Sequence, residues 1–365
     1  MKNIFYSYHM LDYIIVGQGI SGTLLGYNLL KAGKKILIID NDEKNSSSRV
    51  AAGIFNPVTG KRKVKTWQAD QLFDYLNNFY PKFEQELGCK FFYNKPIYML
   101  FDSIEEQNLW AGKIADPIYK DYLDVNTNPG LYNSSIHDEF GGILAKNSGY
   151  VNVQDMIFSF KKYATEHNSF LQSDFDYDEL KINEGEIFYK DLTAKNIIFC
   201  EGASLVSNPL FSWLPFNLVK GELLLLELEY IPDVIFNKNI FILPLDDKHC
   251  IAGATYNWDD RTTDTTVEAK ETLKEKIDQL LKISYKITDQ KAGIRPATKD
   301  RRPFLGTHPE HKNVFVFGGL GTKGVSIAPL YAHLFFDYLE NGKELEKDVN
   351  ISRHYSLYYL NNNTL

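Results

Sequence analysis

The chain of 365 residues has only three cysteines, Cys89, Cys200 and Cys250, widely spaced and odd in number. That scarcity excludes a disulfide framework, and the spacing matches no zinc ligand set. Buried thiols in a reducing compartment are expected instead, which points to the cytoplasm. No metal site is expected. No run of about 18 apolar residues is present to span a bilayer. The opening "MKNIFYSYHMLDYIIVG" lacks the basic-then-apolar leader with a small-residue cleavage site that secretion uses. A basic excess is also missing. Forty Lys and Arg stand against 47 Asp and Glu, net −7, so the chain has no broad cationic surface for DNA or RNA. Internal repeats and low-complexity segments are absent too.

What remains is a chain rich enough in apolar residues (44%, with 14% aromatic) to bury sizeable cores. It is too long for one ordinary core, so two domains are expected. "DYIIV" (12–16) reads as a buried strand, "GQGISG" (17–22) as a turn, "TLLGYNLLKAG" (23–33) as a helix closed by Gly33, and "KKILIID" (34–40) as a second strand. This is a β-α-β unit with the continuous apolar strands of a parallel sheet. Helical spacing predicts a helix over 68–80 interrupted at Pro81, and another at 265–282 with a Thr265–Glu268 capping box. Long antiparallel strands are expected at 221–230 and 240–256, the latter turning at Asp246-Asp247. Parallel-type segments occur at the start, near 200 and at the end, with antiparallel material between. The expected fold is therefore α/β (α+β overall): a discontinuous Rossmann-like domain and a second, mainly antiparallel β-sheet domain. The expected bounds are 1–85, 147–212 and 291–365 for the first, and 86–146 and 213–290 for the second.

Gly17, Gly19 and Gly22 follow the first strand and open the first helix, and Asp40 ends the next strand. The three glycines suit a tight turn, close approach of backbone to a pyrophosphate, and close helix–strand packing, in that order. The helix N-terminus offers N–H groups to the phosphates, and Asp40 offers acceptors to ribose hydroxyls. An acid there disfavours a 2′-phosphate, leaving FAD or NAD. The placement near the N-terminus and the lack of a second such triplet favour FAD.

With this fingerprint, "SSRVAAG" (47–53), "VKGE" (219–222), "IAGATY" (251–256), "AGIRPATKDRRPFLGTHPE" (292–310) and "GLGTKG" (319–324) occur in order along the chain. Together they resemble the D-amino-acid oxidase superfamily of FAD-dependent oxidoreductases, most like glycine oxidase and sarcosine oxidase-type enzymes. The resemblance implies a discontinuous FAD-binding domain and an antiparallel substrate-binding domain. It implies oxidation of the C–N bond of a small amine or amino acid, with hydride passing from the substrate carbon to flavin N5, hydrolysis of the imine, and reoxidation by O2 or another acceptor. It also assigns roles. Gly17, Gly19, Gly22 and Asp40 match the ADP-binding positions, and Ser48, Arg49, Ala52 and Gly53 the loop lining pyrophosphate and flavin. Gly319, Leu320, Gly321, Thr322, Lys323 and Gly324 match the segment whose amides approach the flavin pyrimidine. Arg295 matches the holder of the substrate carboxylate, where a guanidinium can form two parallel hydrogen bonds; the plainer role is a brace on Asp300. Tyr256 is placed in the substrate pocket, the plainer role being a packed strand-end aromatic. The plainer role for Arg49 is a solvated loop charge, and for Lys323 a solvated lysine.

The sequence departs from that pattern in places. No cysteine follows Cys250 and "SSRVAAG" has no histidine, so the resemblance implies non-covalent FAD. Phe236 and Phe241 stand where glycine oxidase-like chains carry tyrosines, and Thr322 where they carry an arginine. A substrate larger or more apolar than glycine fits these changes. The end motif also resembles the oxidoreductase domain of tRNA-modifying proteins that act on a carboxymethylaminomethyl base; the acidic charge weighs against tRNA. A non-catalytic FAD-binding protein is the third alternative. Lys61, Arg62, Lys63 and Lys65 form a basic cluster that is either a solvated loop or a contact for an anionic partner. A homo-oligomer is compatible with the sequence.

Overall fold

A computed structural model describes residues 10–60, 63–124 and 129–362. The chain divides into two compact units. One comprises residues 1–49, 154–218 and 295–365, the other 50–153 and 219–294.

The first unit is built on an eight-stranded sheet. The expected β-α-β unit forms its centre: strand Leu11–Val16, helix Ile20–Lys31 and strand Ile36–Asp40, the two strands pairing in parallel. Leu11–Val16 also pairs in parallel with Leu192–Phe199, which in turn takes Val314–Gly318. The C-terminal ends of strands Leu11–Val16 and Leu192–Phe199 are buried, as a sheet covered on both faces requires. The last long helix, Gly324–Asn341, packs against helix Ile20–Lys31. Its Gly324 brings the two helices close: a Cβ there would sit 3.5 Å from Ile20 Cγ2.

The second unit holds another eight-stranded sheet, in which Ile235–Asn237 runs parallel to Ile97–Leu100 while the central hairpins pair antiparallel. Strands Val219–Leu228, His249–Gly253 and Phe241–Pro244 form its centre, turning at Asp246, whose carboxylate accepts the N–H groups of Lys248 and His249 at 2.8 Å each. Helix Val267–Leu280 covers one face through Leu273, Ile277 and Leu280.

Three expectations are corrected. Residues 50–85 and 147–153 belong to the second unit, not to the Rossmann-like domain. Long-range pairing decides this: Ile54–Phe55 pairs with Gly149–Val151, which pairs with Phe92–Asn94. Phe55, Tyr80 and Phe92 then stack in one aromatic cluster. Second, the helix predicted to stop at Pro81 runs through it, from Ala69 to Leu87. Its apolar stripe, Leu72, Phe73, Leu76, Tyr80 and Phe83, continues past the proline into the core, and that burial outweighs one lost hydrogen bond. Third, the cap of helix Val267–Leu280 is Thr266, one residue later than expected, accepting the Ala269 N–H at 3.2 Å. Glu222 fixes this choice by accepting both the Thr266 N–H and its hydroxyl at 2.9 Å.

One buried group makes the first unit pH-sensitive. His308 is 3% exposed, packed on Phe211, His311 and Tyr358. Burial, then the neighbouring His311, pushes its imidazole down to about 4. The folded protein therefore holds it neutral, while the unfolded chain takes a proton near 6.5. Its contribution to stability is fully present above that pH and is lost as pH falls toward 4, a change of roughly 3 kcal/mol. Thermal melts from pH 7.5 to 4.5 should show a falling Tm, and His308→Gln should flatten that slope; an unchanged slope refutes this role.

Candidate cofactor cradle and active site

The turn after the first strand is made by Gly17, at φ +97°. Its N–H donates to the Ile39 carbonyl at 2.8 Å, tying the turn to the neighbouring strand. A Cβ on Gly22 would lie 2.0 Å from the Gly17 carbonyl oxygen, and one on Gly17 would lie 2.6 Å from the Cys200 carbonyl oxygen. Backbone therefore occupies the volume where side chains would stand. At Asp40 one carboxylate oxygen accepts the Gln18 N–H at 2.6 Å and the other the Asp42 N–H at 2.7 Å. Ser48 Oγ accepts the Ile20 N–H at 3.1 Å, at the mouth of the first helix. That helix has no acid in its first turn, so its dipole is open to an anion. Gly17, Gly19, Gly22, Asp40 and Ser48 are thus brought together.

Arg49 is not a solvated charge. It pairs with Asp42, which Lys161 also reaches at 3.1 Å. Burial opposes ionisation of Asp42, but hydrogen bonds from Arg49 and Lys161 hold its carboxyl below the usual range. Ala52 and Gly53 lie in the second unit. There Gly53, at φ +67°, accepts the Val151 N–H at 2.9 Å, and a Cβ would fall 1.9 Å from the Val151 carbonyl oxygen.

The second glycine segment and Arg295 come together in the first unit. Gly319 and Gly321 have positive φ, and the Gly321 N–H donates to the Pro296 carbonyl at 3.0 Å. The Ala297 N–H closes a tight turn on the Arg295 carbonyl at 2.8 Å. The backbone carrying Arg295 is therefore fixed against the loop that opens helix Gly324–Asn341. No acid occupies that helix's first turn. Lys323, its N-cap, is half-buried; burial and the nearby Arg301 and Arg302 push its ammonium below the usual lysine range. Leu320 is buried and Thr322 exposed. Asp300, the alternative partner for Arg295, accepts the Arg353 Nε–H at 2.9 Å and the Arg302 N–H at 3.0 Å, and lies 3.6 Å from His354. Asp300 braces its loop through the C-terminal segment.

In the second unit, Tyr256 is exposed at the head of the loop after strand His249–Gly253. Phe236 is fully buried against Tyr98 and Tyr132, so it is core and presents no ring to a ligand. Phe241 covers Gly253, where a Cβ would meet its ring at 3.1 Å. In the basic cluster, Lys63 is buried on Glu106 with Phe101 and Trp110 beside it, and Lys65 pairs with Asp70 at 2.7 Å. Lys61 and Arg62 lie outside the described residues. Two residues carry roles that the sequence did not suggest. The Gln18 carboxamide donates to the Ile157 carbonyl at 2.8 Å, bolting the glycine turn to the helix behind it. Lys220, in "VKGE", is buried on Asp260.

Among the described residues no cluster of His, Cys, Asp or Glu could hold a metal ion, and no helix is long and apolar enough to cross a membrane.

A family profile described as FAD dependent oxidoreductase matches residues 12–338. The glycine oxidase of Pseudomonas putida is 22% identical over 91% of this chain and 95% of its own length. The glycine oxidase of Bacillus subtilis is 23% identical over 92% and 94%. Among solved structures, iminodiacetate oxidase from Chelativorans sp. BNC1 superposes with a TM-score of 0.78 at 18% identity, covering 94% of this chain and 98% of the other. Glycine oxidase from Geobacillus kaustophilus gives 0.76 at 19%, covering 95% and 98%. These two share the fold. The profile spans nearly the whole chain, from the first strand to the last long helix, and on that ground the chain belongs to the DAO family of FAD dependent oxidoreductases.

Proposed function

We propose that this protein binds FAD non-covalently and oxidises the C–N bond of a small amine or amino acid that carries a carboxylate. The first unit would hold the cofactor. Its backbone-filled glycine turn fits a pyrophosphate over the helix mouth, with Ser48 at the rim and Asp40 accepting from a ribose. Amides of 319–324 and the N-terminus of helix Gly324–Asn341 would face the flavin pyrimidine and stabilise negative charge there. Lys323 adds a half-buried cation to that end. The resemblance gives Ala52 and Gly53 as further flavin-lining residues. Bound FAD supplies the two-electron acceptor, as cofactors carry the difficult chemistry in such enzymes. Arg295 would grip the carboxylate by two parallel hydrogen bonds and fix which carbon faces the flavin. The resemblance gives Tyr256 as a substrate-pocket residue.

The observation that carries this reading is the Gly321–Pro296 hydrogen bond, which locks the Arg295 backbone to the glycine segment of the proposed flavin site. The relatives named glycine oxidase and iminodiacetate oxidase act, by those names, on carboxylate-bearing amines. With Thr322 where glycine oxidase-like chains carry an arginine, a substrate larger or more apolar than glycine is favoured. A tRNA substrate gains nothing from Lys63 and Lys65, whose charges are met by Glu106 and Asp70. Three free cysteines, two of them buried, support a cytoplasmic location.

The test is direct. Purified protein should be yellow, and acid should release about one FAD per chain. A panel of D-, L- and N-alkyl amino acids should then yield peroxide or reduce a dye. Colourless protein that cannot be reconstituted with FAD ends the reading.

A further inference from the structure

The second unit carries a cavity of its own, open to solvent and about 490 Å³ in volume, the size of a small-molecule site. It holds none of the residues assigned to cofactor or substrate. Lys95 lines it with a side chain only 8% exposed. The backbone there is fixed: the Lys95 N–H donates to the Ser148 carbonyl at 3.0 Å, and the Ser148 hydroxyl donates to the Lys95 carbonyl at 3.1 Å. The ammonium donates to the Pro244 carbonyl at 2.9 Å and to the Asp233 carboxylate. A buried ammonium needs an anion beside it. The anion supplied here is the wrong kind to keep: the Asp233 side chain is 85% exposed, and among the described residues its carboxylate takes no other hydrogen bond. Water resolvates an exposed carboxylate as it leaves, so Asp233 is exchangeable while Lys95 is not.

The other charges in the cavity do not compete for Lys95. Glu84 is committed to the Phe91 and Phe92 N–H groups and to Lys90 at 2.9 Å. With Asp233 displaced, Lys90 and Lys95 face Glu84 alone, and the lining is one positive charge in excess. The wall beside Lys95 is aromatic. Tyr93 and Tyr150 oppose each other on neighbouring strands, their rings stacked at 4.8 Å and 11°, with the Lys95 ammonium 5.9 Å from the Tyr150 ring centre. Pro81 and the exposed Leu245 add apolar surface. We infer that this cavity binds a small aromatic carboxylate. The ligand carboxylate takes the place of Asp233 on Lys95, and its ring packs beside the tyrosine pair. The plainer role is a clasp, in which Lys95 only ties the loop carrying Asp233 to Pro244. The inference does not rest on the proposed reaction.

The test uses FAD-loaded Arg295→Met protein, which lacks the carboxylate holder proposed for the reaction. Phenylacetate and its neutral amide are titrated into it by calorimetry. Phenylacetate should bind, and phenylacetamide at least about tenfold more weakly. Adding Asp233→Asn should tighten phenylacetate about tenfold, because the internal competitor for Lys95 is gone. Adding Lys95→Met should weaken it by at least about tenfold. A clasp gives a different result: neither probe binds, and Asp233→Asn only lowers the Tm. Should Lys95→Met fail to fold, Asp233→Asn carries the test by itself, since its side chain is exposed. No binding of phenylacetate, equal affinity for acid and amide, or an affinity that Asp233→Asn leaves unmoved overturns the inference. None of these outcomes bears on the proposed oxidation, which is read from the flavin.

Discussion

Replacing Arg295 with methionine should lower kcat/KM for the best amino-acid substrate about a hundred- to a thousandfold, with FAD content unchanged. The size follows from the geometry of a guanidinium gripping a carboxylate: losing one partner of a desolvated charge pair costs about 3–4 kcal/mol, and each 1.4 kcal/mol is tenfold. Its backbone stays fixed in the variant, since the Gly321–Pro296 and Ala297–Arg295 hydrogen bonds involve main-chain atoms only. Lysine should recover only part of the loss, because a point charge cannot reproduce the two-pronged contact. Steady-state kinetics with FAD quantified in each sample decides the matter. Wild-type kcat/KM in Arg295→Met would return the residue to a loop brace, although Asp300 already serves that role through Arg353.

Gly22→Ala should abolish FAD binding. The new methyl would sit 2.0 Å from the Gly17 carbonyl oxygen and 3.4 Å from Cys200 Cβ. Only separation of the first helix from the first strand relieves the first contact, and that opens the turn proposed to hold the pyrophosphate. Forced overpacking of this kind costs typically 1–3 kcal/mol and sometimes more, a large share of a stability of about 5–15 kcal/mol. Colourless or weakly flavinylated protein is expected, with a lowered Tm. Gly33→Ala is the control: its Cβ would meet nothing within 4 Å, so only the strain of φ +74° is added. That variant should lose about 1 kcal/mol and keep its FAD. Equal FAD content in the two variants would contradict the assignment of the cradle.

Features fixed by local chain geometry were legible in the sequence. The strand, glycine turn, helix and Asp40 need only about thirty residues, and each glycine leaves a visible gap in an apolar pattern. The tight run around Arg295 was legible for the same reason. Features decided at long range were not. Whether residues 50–85 join one unit or the other depends on Phe55 pairing with Gly149. The cap moved from Thr265 to Thr266 because Glu222, forty-four residues earlier, accepts from it. Lys63 reads as a surface charge in "GKRKVK" until Glu106 is placed beside it. Lys220 shows in the sequence only as one member of "VKGE". Nothing local reveals that its partner is Asp260, forty residues on. Phe236 read as a tyrosine lost from a pocket, and the structure turns its ring into the core.

The central claim is that carbon–nitrogen oxidation reduces a flavin held by the first unit. Anaerobic mixing of the FAD-loaded protein with the best carboxylate-bearing amine of the panel tests it most directly. The flavin absorbance should bleach in a single turnover, with about one carbonyl product and one amine or ammonia released per flavin. Arg295→Met should slow the bleaching without changing that ratio. A flavin that stays oxidised with every amine and amino acid offered, or that bleaches with no carbonyl product, contradicts the account.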